Sequence, residues 1–176
     1  MSVPKTPPAR GKEVWFDGDF VPWAEANVHV TTHALHYGSS VFEGIRCYAG
    51  PKGPAVFRLR EHLDRLLFSA KVFRVDVGYS VDALERACLD LIRRNGFTSC
   101  YLRPLTFRGA GALGLYPDNN PIHTLIAAWE WGTYLGADAL EQGIDVMISS
   151  WRKPPPGSMP PMAKIGGAYV LPTLAK

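Results

Sequence analysis

Pro161-Met-Ala-Lys164-Ile-Gly-Gly-Ala-Tyr169 sets one lysine among apolar and small residues, directly ahead of a Gly-Gly pair and the start of a helical run toward Lys176. Lysine is costly to desolvate. When enclosed it gives up its proton more readily and becomes a nucleophile toward carbonyls. A lysine that merely ends a helix keeps its ammonium in water. The two readings part on one question: does the rest of the chain supply a cation for an anionic cofactor and a pocket for a substrate?

The chain is long enough to carry such a pocket. Its 176 residues suffice to bury a core, since a ~150-residue domain hides about 68–70% of its unfolded surface. A hydrophobic share of 47% against 20% charged residues is a globular balance, not a disordered one. The net charge of +3, from 19 basic and 16 acidic residues, is spread along the chain and forms no nucleic-acid stripe. Cys47, Cys88 and Cys100 are odd in number and unpaired in spacing, which indicates neither a disulfide framework nor a zinc site. The polar, proline-rich residues 1–10 are no signal segment, and no run approaches the ~20 apolar residues of a membrane span. A cytosolic enzyme or binding protein for small anionic molecules is expected, with no nucleic-acid, membrane or metal partner.

Residues 1–12 read as a frayed arm. Val14-Trp-Phe-Asp-Gly-Asp-Phe-Val21 is a hairpin, because Asp17-Gly18 accepts positive φ between two apolar runs. His33–Gly38 reads as a loop, Val41–Tyr48 as a strand, and Ala55–Arg58 as a second, short strand. Arg60–Phe73 has helical spacing, with Leu63, Leu66, Leu67 and Ala70 on one face. Ser80 caps a longer helix over Val81–Arg94 that ends at Asn95-Gly96. Ser99–Arg108 is a strand, residues 109–121 a long glycine-rich loop, and Ile122–Trp131 a buried strand. Asp145–Trp151 reads as another strand. A first α+β domain therefore occupies residues 1–131, a linker residues 132–138, and the beginning of a second domain residues 139–176. One strand and one helical stub do not make a domain, so residues after 176 are expected to be missing.

Three clusters bear on the lysine. Arg65, in Arg60-Glu-His-Leu-Asp-Arg65-Leu, offers planar donors suited to phosphate oxygens, or else a surface ion pair with Glu61 one turn away. Tyr101 and Arg103 share a strand face by period-two spacing, and that face is either a carboxylate receptor or a half-exposed edge. Tyr37, Phe42, Trp131 and Tyr134 fall at strand or loop ends, where aromatics serve as core or as pocket wall. The glycine-rich loop lacks GxxxxGK[ST], and the histidines show no metal spacing and read as structural.

Five motifs occur in order: Thr32-His-Ala-Leu-His-Tyr-Gly-Ser-Ser-Val-Phe-Glu-Gly-Ile-Arg46, Arg60-Glu-His-Leu-Asp-Arg-Leu66, Tyr101-Leu-Arg-Pro104, Ala139-Leu-Glu-Gln-Gly-Ile-Asp145 and Ala163-Lys-Ile-Gly-Gly-Ala-Tyr169. Together they resemble the branched-chain amino-acid aminotransferases, pyridoxal 5′-phosphate (PLP) enzymes of fold type IV, from about residue 13 to residue 176. Several motifs are shared with D-amino-acid transaminases and aminodeoxychorismate lyases. The Tyr37–Arg46 block and the Tyr101/Arg103 pair favour the branched-chain branch.

The resemblance implies a two-domain α+β fold and reversible transfer of an amino group from Leu, Ile or Val to 2-oxoglutarate, in a homodimer or higher oligomer. By the same resemblance, Lys164 is the catalytic residue and forms a Schiff base with the cofactor. Arg65 holds the cofactor's phosphate, and Tyr169 donates to its phenolic oxygen. Phe42, Trp131 and Tyr134 line the side-chain pocket. Tyr37 and Leu115 reach the neighbouring subunit's pocket, in whose wall Gly44 also lies. Tyr101 and Arg103 receive carboxylates, Arg103 the distal one of glutamate. In the family a glutamate facing the pyridinium nitrogen and the loops closing the phosphate cup lie beyond the lysine, so the resemblance implies an incomplete site in these residues. The alternatives are another fold-type IV enzyme, or a non-catalytic fragment that forms a subunit interface.

Overall fold

A computed structural model describes residues 10–131, 139–155 and 157–175. The expected hairpin is present: β1 (Glu13–Phe16) and β2 (Asp19–Pro22) pair antiparallel across Asp17 and Gly18, whose φ angles are +48° and +105°. Positive φ at both central residues matches the right-handed twist of the flanking strands, and glycine takes the second at no steric cost.

The remaining strands are β3 (Ser40–Phe42), β4 (Ile45–Gly50), β5 (Gly53–Val56), β6 (Cys100–Arg108) and β7 (Ile122–Trp129). They form one antiparallel sheet in the order β2-β1-β7-β6-β4-β5, with β3 also on β6. The expected single strand over residues 41–48 is thus two, yet the register never slips. Phe42 faces Leu105, and Ile45 faces Leu102. The ladder lapses between them because Pro104 has no N–H to donate. Its carbonyl still accepts from the Glu43 N–H at 2.8 Å.

Two long helices cover one face. In α2 (Leu59–Val72) Leu63, Leu66 and Ala70 are buried, as the spacing predicts. In α3 (Val81–Asn95) the Ser80 hydroxyl accepts from Ala83 N–H at 3.2 Å, and Gly96 closes the C-terminus at φ +71°. α2 packs on α3 and β3, while α3 packs on β1 and β7. All three cysteines lie in this core, and burial pushes the Cys100 thiol up to about 12.

Two further expectations fail. His33–Tyr37 is a short helix (α1), not a loop. Gly38, at φ +63°, ends it by donating its N–H to Ala34 O at 3.0 Å. Asp145–Trp151 is not a strand. Val146, Met147 and Ile148 are exposed, and among the described residues no strand edge lies beside them to pair their backbone. The linker expected at 132–138 lies outside the described residues. Two short helices complete the elements, α4 (Ala139–Gln142) and α5 (Val170–Leu174).

Candidate active site

The lysine segment lies along the free edge of β3. Lys164 O accepts from Phe42 N–H at 3.1 Å, Ile165 bridges Val41, and Gly167 N–H donates to Gly38 O at 3.2 Å. Ala163 and Ile165 are buried to either side. The Gly-Gly pair is what permits this approach. A Cβ on Gly38 would stand 2.7 Å from Gly167 Cα, and one on Gly166 would run into Ser40 Oγ.

The lysine side chain faces away from the helices, into a cavity of about 700 Å³. Its Nζ donates to Tyr169 Oη at 2.6 Å and lies 4.9 Å from the centroids of the Phe42 and Tyr169 rings. Strand alternation supplies the rest of the wall. Cys100, Leu102, Pro104 and Thr106 point to the helices, whereas Tyr101, Arg103 and Leu105 point to the cavity. The Trp131 ring, just past β7, lies tilted against that of Tyr101, 4.6 Å between centroids.

Arg103 is held in an aromatic cage. Its Nη2 donates to Tyr101 Oη at 3.1 Å, and its guanidinium lies 4.7 Å from the Phe42 ring centroid and 5.8 Å from that of Trp129. Its Nε is buried and has no hydrogen-bond partner among the described residues. Neither Arg103 nor Lys164 has an acidic partner among them. The site is therefore cationic, walled by aromatics and short of an anion. Gly44 supports it from behind, since a Cβ there would run into Tyr101 Oη.

Arg65 stands apart from this wall. Its Nε and Nη2 donate to both oxygens of Glu43 at 2.5 and 2.8 Å, and its Nη1 makes no hydrogen bond among the described residues. The alternative surface pair with Glu61 does not form: Arg65 turns its donors to Glu43, and Glu61 accepts from Arg58. Glu43 is fully buried and also meets His62 Nδ1 at 2.9 Å. Burial raises its pKa, but the hydrogen bonds from Arg65 and His62 outweigh that and hold it below the usual carboxylate range.

Tyr37 and Leu115 do not enter the cavity. The Tyr37 hydroxyl donates to Leu113 O at 2.8 Å and so ties α1 to the glycine-rich loop, where Leu115 is exposed. Tyr134 lies outside the described residues. Reading by residue type missed Arg46, Glu43 and Ser69. Arg46 lines the cavity opposite Tyr101, where period-two spacing from Phe42 would have placed it. The partners of Glu43 and Ser69 come from distant segments and leave no local signal. Among the described residues no cluster of His, Cys, Asp and Glu suits a metal ion, and no helix is long and apolar enough to cross a membrane.

Comparison with known proteins gives one answer. The sequence is 54% identical over 158 residues to the branched-chain-amino-acid aminotransferase of Escherichia coli (strain K12), covering 89% of this chain and 51% of that protein. A crystal structure of the E. coli branched-chain amino acid aminotransferase superposes with a TM-score of 0.91 at 53% identity, over 93% of this chain and 54% of that one. The branched-chain aminotransferase from the archaeon Thermoproteus uzoniensis, with norvaline, gives 0.86 at 37% identity, over 94% and 55%. The chain spans about half the length of the curated relatives it matches. The family model for amino-transferase class IV matches residues 40–176, from β3 through the lysine segment. This chain belongs to that family.

Proposed function

We propose that these residues form the lysine-bearing part of a PLP-dependent branched-chain aminotransferase, which moves an amino group between Leu, Ile or Val and 2-oxoglutarate in a homodimer. The observation that carries this reading is the pairing on one cavity wall of a lysine amine, bonded to a phenol, with an aromatic-caged arginine whose Nε is buried and unpaired. That donor set fits the cofactor. Lys164 would offer an amine to its aldehyde, the Tyr169 hydroxyl would hydrogen-bond its phenolic oxygen, and Arg65 would offer Nη1 to its phosphate. When bound, the cofactor supplies an electron sink for the carbanion that forms at the substrate's Cα.

The chain's own residues supply the rest. The Lys164 Nζ holds the cofactor and later accepts and returns the proton at Cα. Tyr169 Oη, by accepting from Nζ, fixes where that nitrogen points. Phe42, Tyr101 and Trp131 form an apolar wall that keeps water out and takes a branched aliphatic side chain. On this reading Tyr37, Gly44 and Leu115 belong to the part shared with a neighbouring subunit. Arg103 resolves the dual specificity. With an aliphatic substrate the guanidinium stays sheltered by Tyr101 Oη and the ring faces. With glutamate it meets the distal carboxylate.

Substrate profiling of the full-length enzyme tests the reading. Formation of glutamate from 2-oxoglutarate with L-leucine, L-isoleucine and L-valine is expected. Turnover confined to D-amino acids or to aminodeoxychorismate would contradict it.

A further inference from the structure

Ser69 is fully buried on α2, one helical turn after Arg65, and its hydroxyl makes two hydrogen bonds. It donates to Arg65 O at 2.8 Å and accepts from Lys164 N–H at 2.9 Å, 95 residues away in sequence. A serine hydroxyl inside a helix commonly bonds back to the carbonyl four residues earlier, which by itself slightly destabilises the helix. Here that back-bond orients the oxygen, so a lone pair faces the Lys164 amide. The same lysine's carbonyl is taken by Phe42 N–H. Its backbone is thus clamped between α2 and β3.

We propose that Ser69 is a positioning residue for Lys164: its hydroxyl locks the lysine backbone to the helical turn that carries Arg65, and so fixes the amine relative to the phosphate-holding cation. The inference rests on the proposed function and deepens it. A cofactor held at both its phosphate and its aldehyde needs those two protein groups at a set separation, and misplacement by about 1 Å can cost on the order of a hundredfold in rate. One helix turn and one hydroxyl set that separation, with no side chain of the cavity wall involved.

The test uses Ser69→Ala and Leu63→Val in the full-length holoenzyme. Leu63 is equally buried on α2 but forms no hydrogen bond to Lys164, so its variant reports the cost of loosening the helix alone. Ser69→Ala is expected to lower kcat about three- to tenfold, the ratio one neutral hydrogen bond is worth, with KM for leucine unchanged. Leu63→Val should lower thermal stability and leave kcat in place. A second measurement needs no variant: the Lys164 amide of the wild-type protein should be protected from hydrogen exchange like a core amide. An unchanged kcat in Ser69→Ala, an equal loss in Leu63→Val, or exchange of the Lys164 amide at the rate of an open loop would each overturn the proposal. Borohydride labelling of wild-type Lys164 separates the two failures. Without the label the functional reading fails, and with the label but an indifferent Ser69→Ala only the positioning role does.

Discussion

The two faces of the sheet treat charge in opposite ways. On the helix side the buried polar groups are matched. Glu43 is held by Arg65 and His62, and the Thr124 hydroxyl donates to Val77 O and shares a hydrogen bond with the Thr106 hydroxyl. On the cavity side Lys164 and Arg103 have ring faces and phenol oxygens around them but no carboxylate among the described residues. Neighbouring residues of one strand point to each environment, Leu102 to the first and Arg103 to the second. Matching polar groups stabilises a fold. Leaving cations unmatched reserves them for an anion that arrives later. The difference separates residues that hold the chain together from residues left to hold a ligand, and Arg65 serves both: its Nε and Nη2 hold Glu43, while its Nη1 is left for the proposed phosphate.

Breaking the matched side should cost the most in folding. Arg65→Ala leaves a fully buried carboxylate with only His62 and, at 3.4 Å, the Gly44 N–H opposite, and should lower stability by about 3 kcal/mol in urea titration. A loss below about 1 kcal/mol would mean that water reaches Glu43 and the contrast between the faces is weaker than the burial implies.

Arg103→Leu should show the reverse pattern. Removing an unmatched cation with an orphaned Nε should change folding stability by less than about 1 kcal/mol. The glutamate half-reaction should nevertheless lose about 2–5 kcal/mol of transition-state stabilisation, far more than the leucine half-reaction. Single-turnover rates for both substrates separate the cases. Equal losses would assign Arg103 to the shared α-carboxylate or to the fold.

A smaller effect should appear in acid. Because Glu43 is held below its unfolded pKa, its contribution to stability is complete above about pH 4.3 and fades as pH falls through its folded value. Glu13, bonded by Arg94, and Glu61, bonded by its own backbone N–H and by Arg58, are held low as well. The discriminating comparison is therefore Glu43→Gln against wild type, with urea midpoints measured across that range. The Gln variant should be less stable at neutral pH and should lose less on acidification. Parallel curves would remove Glu43 from the acid response.

How much of this was legible in the sequence follows from the range of each interaction. Asp17-Gly18, Ser80 and Gly96 act on adjacent residues, so the hairpin and α3 could be read directly. Tyr101 and Arg103 needed only the two-residue period of a strand to be placed together. The run from Asp145 to Trp151 has strand composition, but a strand also needs an edge to pair with, and composition does not supply one. The five residues of α1 are too few to show a helical period, although Gly38 marked their end. For Arg65 the local alternative was Glu61, four residues away, while its partner is Glu43, twenty-two residues away in the break between β3 and β4. Ser69 reaches a partner 95 residues distant, which no local pattern encodes.

The central claim is that the cavity's unmatched lysine is the cofactor-bearing group. Borohydride reduction of the full-length enzyme loaded with PLP, followed by peptide mass mapping, tests it most directly. The expected result is a stable pyridoxyl mass on the peptide containing Lys164, lost in Lys164→Ala together with transamination. Labelling of another lysine in the wild-type enzyme, or a labelled and active Lys164→Ala, would contradict the account.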